Sequence, residues 1–205
     1  LLIIGQSDRT NPQGIDALLE HLKSAKRPVN LLIQELPYQP ESFIHLDMVF
    51  TLLDRDLCMV YHPLILEPNR FLTIHITVDN GKVKIRETRN LIHALAGLGL
   101  ELTPISCGGD ADTYTQDREQ WHSGANFFCL GPGQVIGYER NVHTLNELER
   151  HGFTILPAAD LIDGKVAAAS DDRWAIAIEG DELSRGGGGC RCMTLPLRRG
   201  AVDWG

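Results

Sequence analysis

The chain has 205 residues, 43% of them hydrophobic, which is enough apolar material for one large domain or two small ones with a core. Its 27 acidic residues outnumber 19 basic ones, for a formal net charge of -8, so no basic footprint for nucleic acid or an anionic membrane surface is present. No apolar run approaches the roughly 20 residues of a membrane-spanning helix, and no charged segment precedes an apolar stretch and cleavage site. A globular, cytoplasmic protein without nucleic-acid or membrane partners is the expectation. Cys58, Cys107, Cys129, Cys190 and Cys192 are an odd, scattered set, which points to reduced thiols and not to a disulfide framework.

In chain order, "LLIIG" has the look of a buried strand with nothing before it, and therefore of a chain that is part of a longer domain. In "DRTNPQGIDALLEHLKSAKRP", Thr10 or Asn11 caps a helix, Pro12 lies in its first turn, and Ile15, Leu18, Leu19 and Leu22 recur at helical spacing. "VNLLIQEL" predicts a strand, and "SFIHLDMVFTLLDRDLCMVYHPLI" two β-rich runs forming a hairpin around residues 54–56. "RFLTIHITVDNGKVKIRE" predicts a second hairpin at Asn80-Gly81, and "TRNLIHALAGLGLELTPISC" a helix stopped by Gly97 or Gly99, then a strand. A polar, tryptophan-containing loop is expected next. "ANFFCLGPGQVIGYERN" predicts a hairpin turning at residues 131–133, and "TLNELERHG" a helix with a Thr144-x-x-Glu147 capping box and Gly152 as its stop. "FTILPAADLI" gives a strand and a short helix, and "RWAIAIEG" a strand. The recurrence of strand, strand, helix, strand suggests weak structural repeats in an α/β or α+β architecture, without a linker between independent domains.

The chemistry-bearing stretch is "LSRGGGGCRCMTLPLRR". A run of glycines lets the backbone approach a ligand closely, with N–H and C=O groups turned onto it. The Cys190-x-Cys192 pair supplies two soft ligands where structural zinc needs four, and a redox dithiol more usually spaces its thiols by two residues. Buried structural thiols at a tight turn, with "CMTLPL" as a core strand, are a third reading. A cysteine nucleophile beside Arg185 and Arg191 is the fourth. Such a nucleophile needs a proton-handling partner. Of the eight histidines, His21, His75, His93, His143 and His151 fall on predicted helix or strand surfaces, and His62 and His122 in loops. In "FIHLDMVFT", His45 and Asp47 alternate with apolar residues, so a strand would turn both to one face. That face is either merely solvated or a catalytic imidazole beside a carboxylate.

"HLDMVFT", "REQWHSGAN" followed by "GPGQVIGYERN", and "ELSRGGGGCRCMTLPLRR" together resemble the C-terminal half of arginine deiminase and its relatives in the guanidine-modifying, or pentein, superfamily. "LLIIGQSDRTNPQGIDALLEHL" resembles the family's segment in which an arginine leads into a helix. The resemblance covers nearly the whole chain. It implies a pentein-type α/β propeller of ββαβ modules with pseudo-fivefold symmetry, of which residues 1–205 form the C-terminal part of one catalytic domain, an incomplete propeller of about three modules. It implies hydrolysis of L-arginine to L-citrulline and ammonia, with no metal and no cofactor. Cys192 falls at the nucleophile position, His45 at the general acid/base, and Asp47 at a carboxylate gripping the guanidinium. Arg9 falls on an arginine that helps bind the substrate α-carboxylate, its alternative being a surface arginine paired to Asp8. Gly186 falls on a glycine whose backbone lines the substrate. Gly187 stands where the family usually has arginine, and Cys190 where proline is usual. The implied partners are a guanidine substrate, the N-terminal half of the domain in cis or in trans, and further copies in a homo-oligomer. The alternatives are a relative acting on methylarginine, agmatine or citrulline, an amidinotransferase, and a non-catalytic assembly module.

Overall fold

Asn11 begins the first helix of the computed structural model, which describes residues 1–110, 112–169 and 172–203. Its side chain accepts the Gly14 N–H at 2.9 Å, and Pro12 fills the first helical position, where a missing N–H costs nothing. This helix, α1 (Pro12–Leu22), joins β1 (Leu2–Gln6) to β2 (Val29–Glu35). The run expected to continue as a strand through His45 and Asp47 is instead two 3-10 turns, Glu41–Phe43 and Leu46–Met48, ahead of β3 (Phe50–Leu52). The hairpin around residues 54–56 forms between β3 and β4 (Leu57–Val60). A short helix, α2 (His62–Ile65), leads to β5 (Thr73–Asp79). Asn80 and Gly81 take φ of 48° and 74°, the two left-handed residues a tight hairpin requires, and β6 (Lys82–Thr88) returns antiparallel to β5. After α3 (Leu91–Ala96), capped by the Asn90 side chain and ended at Gly97, comes β7 (Thr103–Ser106).

The chain divides into two compact units. The first, Leu1–Leu46 with Pro63–Glu101, holds a sheet in the order β1-β2-β5-β6. There β1 and β2 run parallel, as a helical crossover demands, and the remaining pairs are antiparallel. Leu31, Ile33, Ile76 and Val78 of this sheet close over Ile15 and Leu19 of α1. Two expectations are corrected here. β1 is an edge strand with Leu2 exposed, not a buried one. His75, expected on a solvated strand face, is buried, with Nδ1 accepting from Arg86 and Nε2 facing Asn30.

The second unit, Asp47–His62 with Leu102–Gly205, contains two sheets. In one, β3-β4-β7, β4 pairs antiparallel with β3 and parallel with β7. Helix α4 (Thr113–Trp121) follows, then the hairpin β8 (Phe128–Gly131) and β9 (Gln134–Tyr138), α5 (Val142–Arg150), β10 (Thr154–Pro157), α6 (Ala158–Ile162) and β11 (Trp174–Ile178). These strands form the second sheet in the order β10-β11-β9-β8. Met59, Ile105, Phe127, Val135, Leu148, Phe153 and Ala175 belong to one continuous core.

Helix α4 occupies the segment expected to be a loop. Its buried face carries Gln116, Glu119 and Gln120, so the apolar periodicity that announces a packed helix is absent. The expected capping box is also not formed. Asn141 is the cap position of α5, and Thr144 lies inside the helix. The N–H groups of His143 and Thr144 and the Thr144 hydroxyl donate to the Glu119 carboxylate at 3.1, 2.8 and 2.7 Å. The cap is thus supplied by a neighbouring helix, where a negative charge also meets the positive end of the helix dipole.

The chain is α/β, with three separate sheets and, among the described residues, no closed barrel. Replacing Glu119 by alanine would strand three donors at a buried position. We expect Glu119→Ala to lower the unfolding free energy by about 2–4 kcal/mol in urea titrations, and Glu147→Ala, which leaves the α5 cap intact, to lower it less.

Candidate active site

The C-terminal segment holds its shape by being tied down. After β11, a 3-10 turn at Leu183–Gly186 ends with Gly187 at φ 81°, a left-handed conformation that favours glycine. The Arg140 guanidinium donates to the Asp181 carbonyl and, at 3.5 Å, to the Ser184 hydroxyl. The Tyr138 hydroxyl donates to the Gly188 carbonyl at 3.3 Å. Gly189 passes so close to Asn126 that a Cβ on it would lie 2.3 Å from Oδ1. That amide oxygen accepts the Arg191 and Cys192 N–H groups at 3.0 and 3.3 Å, and Nδ2 donates to the Asp47 carbonyl at 3.1 Å. Asn126 therefore touches both the segment of Cys192 and that of Asp47. Beyond Cys192, the "CMTLPL" run is not the core strand expected: it is irregular, with Leu195 81% and Leu197 92% exposed. Pro196 interrupts it, and a proline cannot donate to a strand ladder.

Asp47 stands in the second 3-10 turn with its side chain 16% exposed. One carboxylate oxygen, Oδ2, meets the Arg191 guanidinium at 2.5 Å. The other, Oδ1, is buried and has no hydrogen-bond partner among the described residues. A buried carboxylate oxygen lacking a donor is costly, and it suits a second guanidinium N–H.

The two neighbouring thiols differ. Cys190 is buried and Cys192 exposed. Burial pushes the Cys190 thiol up to about 12, with the nearby Cys192 adding to the rise. Surrounding protein atoms also desolvate the Cys192 sulfur and raise its pKa, and the Asp47 charge acts in the same direction. The Gly189 N–H, the Asn126 amide and the Arg191 guanidinium oppose that rise. Of these two neighbours, Cys192 is the one that combines access with groups that stabilise its thiolate. Cys58 and Cys107 are raised to about 12, first by burial.

The remaining candidates fall as follows. His45 and Arg9 belong to the first unit, and both are exposed. Their segments are linked there by Ser7, whose hydroxyl donates to the Ile44 carbonyl at 2.7 Å and accepts the Arg9 N–H at 3.1 Å. Because His45 and Asp47 flank a 3-10 residue and not a strand residue, alternation does not set their faces. Gly186 has nothing within 4 Å of where a Cβ would be, so its backbone is open to a ligand. Among the described residues, no group of three or more His, Cys, Asp or Glu side chains could hold a metal ion, and no helix is long and apolar enough to cross a membrane.

Residue-by-residue reading missed Asn126 as a site member. Its only signal was its place in "REQWHSGAN"; a buried amide leaves no periodicity. Arg191 was seen as a thiolate neighbour but not as the partner of Asp47.

The family model described as arginine deiminase matches residues 1–199 of the 205. The chain belongs to the arginine deiminase family, whose members are pentein-type hydrolases.

Two outcomes follow from the thiols. Alkylation of the folded protein at pH 8, read by peptide mass spectrometry, should modify Cys192 and spare Cys190. Folding holds protons on Cys58, Cys107 and Cys190 that the unfolded chain releases near the ordinary thiol value. The unfolded state then binds fewer protons above about pH 9, and stability falls as pH rises towards 12. Urea midpoints should therefore decline from pH 8 to pH 10.5, and a Cys58→Ala variant should decline less steeply.

Proposed function

We propose that this chain carries the nucleophile-bearing part of a metal-free guanidine hydrolase that converts L-arginine to L-citrulline and ammonia. The observation that carries the reading is Asp47: one of its oxygens already holds a guanidinium, that of Arg191, while the other is buried and has no partner among the described residues. The backbone of Asp47 is joined through a single amide to Cys192. A guanidinium is a resonance-stabilised cation and a poor electrophile, so a carboxylate that fixes its plane contributes mainly by orientation.

In this reading the Cys192 thiolate attacks the central guanidinium carbon, forming a C–S bond and a tetrahedral centre. His45 gives a proton to the departing nitrogen, which leaves as ammonia, and a thiouronium adduct remains. Water then adds to the same carbon as His45 takes one of its protons. Rupture of the C–S bond releases the ureido product and returns the thiolate. The cation itself favours the thiolate by proximity, offsetting the desolvation that raises the resting Cys192 pKa. Arg9 binds the α-carboxylate end and the Gly186 backbone lines the substrate. The proposal includes a cytoplasmic enzyme, pentein modules completed by further chain in cis or in trans, and assembly into a homo-oligomer.

Gly187 favours a second reading of the substrate. It stands where the family usually has an arginine, in a left-handed conformation with open space around it. A pocket lacking that cation suits a different guanidine, such as agmatine or a methylated arginine.

The test is formation of the ureido product, with ammonia released from L-arginine or agmatine and methylamine from methylarginine, by the full-length protein over these three guanidines. Cys192→Ser should lose activity by about 10³-fold or more, with Cys190→Ser within a few-fold of the parent. Undiminished ammonia release by Cys192→Ser would sink the mechanism, and preference for agmatine over arginine would move the substrate to the second reading.

A further inference from the structure

Asn126 is buried, 1% exposed, yet among the described residues the polar contacts of its side chain go to the two segments that carry the proposed chemistry. Its Oδ1 gathers two successive backbone N–H groups, those of Arg191 and Cys192, at 3.0 and 3.3 Å, and its Nδ2 reaches the Asp47 carbonyl at 3.1 Å. Gly189 is pressed against the same amide: a Cβ there would lie 2.3 Å from Oδ1 and 2.5 Å from the Asn126 Cβ. The amide is held in turn. It follows directly on Ala125, whose carbonyl accepts the Thr51 hydroxyl at 2.7 Å, and its own N–H donates to the Ser123 carbonyl at 3.0 Å. Ser123 takes the uncommon left-handed φ of 61° for a non-glycine residue, which costs backbone energy and fixes the direction in which the chain enters Asn126.

We propose that Asn126 is a positioning residue: its amide sets the spacing between the Cys192 nucleophile and the Asp47 carboxylate by hydrogen-bonding the backbone of both. This rests on the reading of Cys192 as nucleophile. No other side chain satisfies the geometric demand as well. An amide offers an acceptor and a donor on one rigid plane, and the two sides of that plane meet two segments far apart in sequence. Aspartate keeps the acceptor but loses the donor and adds a negative charge beside the sulfur. Alanine loses both. The Asn126 amide also stabilises the Cys192 thiolate, so its loss is felt in sulfur acidity as well as in position. A residue with a merely structural role would change stability and leave the thiol titration where it was.

The measurement is the rate at which 2-chloroacetamidine, a guanidinium-shaped alkylating agent, inactivates and labels the full-length protein, followed from pH 6 to pH 10.5 with saturation kinetics. For Asn126→Ala, labelling of Cys192 at pH 8 should slow about tenfold, as a small misplacement of a reacting atom does. Its midpoint should move to higher pH and the half-saturating concentration should rise. Asn126→Asp, isosteric and able to keep the Arg191 and Cys192 contacts, guards against a failure of the alanine variant to fold. It should show a further upward shift of the midpoint with a smaller rise in half-saturating concentration. Labelling of Cys192 within twofold of the parent at every pH, in whichever variants fold, would overturn the proposal. Cys192→Ser run alongside separates the two levels: if it is labelled and inactivated as the parent is, the nucleophile reading fails, whatever Asn126 does.

Discussion

The contact between Gly189 and Asn126 fixes the course of the C-terminal segment at Cys192. No side chain fits at residue 189, so the backbone comes within reach of a single amide that can then bind the next N–H groups. The glycine run was read as a wall meant for a ligand. In the folded unit, part of it serves a different purpose: Gly189 is there so that the chain can reach a protein group, while Gly186 and Gly187 have open space around them. One run of identical residues thus divides into an anchored half and an open half. The division places Cys192 at the anchored end, where position can be controlled.

Anchoring of that kind requires a firm platform, and the platform is polar. Helix α4 turns Gln116, Glu119 and Gln120 inward. Gln116 donates to the Gly109 carbonyl at 2.7 Å, Gln120 to the Met48 carbonyl at 3.2 Å, and Glu119 caps α5. Each such group is costly to bury alone and directional when paired. Apolar packing in the core of Met59, Phe127 and Leu148 supplies burial without register. The polar contacts supply register: Gln120 fixes Met48, one residue from Asp47, and the loop after α4 leads directly to Asn126. Site geometry in this unit therefore descends from a helix whose buried face is hydrophilic.

That helix also shows where a sequence stops being legible. Elements whose signal is local were read correctly: α1 from Asn11, Pro12 and spaced leucines, the β5–β6 hairpin from Asn80-Gly81, and the end of α5 from Gly152. Elements whose logic is tertiary were not. The α4 segment lacks apolar periodicity because its partners are backbone carbonyls and a second helix, and Thr144 resembles a cap because its real partner, Glu119, lies 25 residues away in sequence. The alternation around His45 and Asp47 was mistaken for a strand although Asp47 lies in a 3-10 turn and His45 in the bend just before it. Cys192 and Asp47 were singled out as candidates because the motif resemblance carried them. Asn126, which joins their segments, was not, since a buried amide has no pattern of its own.

The two departures from the usual family motif can be understood through the same anchoring. Glycine at 187 and cysteine at 190, where arginine and proline are usual, both loosen the free chain: glycine enlarges the set of accessible conformations, and the absence of proline restores rotation about φ. A loop with four consecutive glycines has much entropy to lose on ordering. Here the order is restored from outside the loop by Arg140 at Ser184, Tyr138 at Gly188 and Asn126 at the Arg191 and Cys192 amides. Cys190 adds burial in place of stiffness, its thiol held neutral inside the unit. Gly186 and Gly187, by contrast, have open space where a side chain would stand. Gly187 is itself the position at which the resemblance expects an arginine, so that departure falls in the open part of the run and away from the amide that holds the Cys192 N–H.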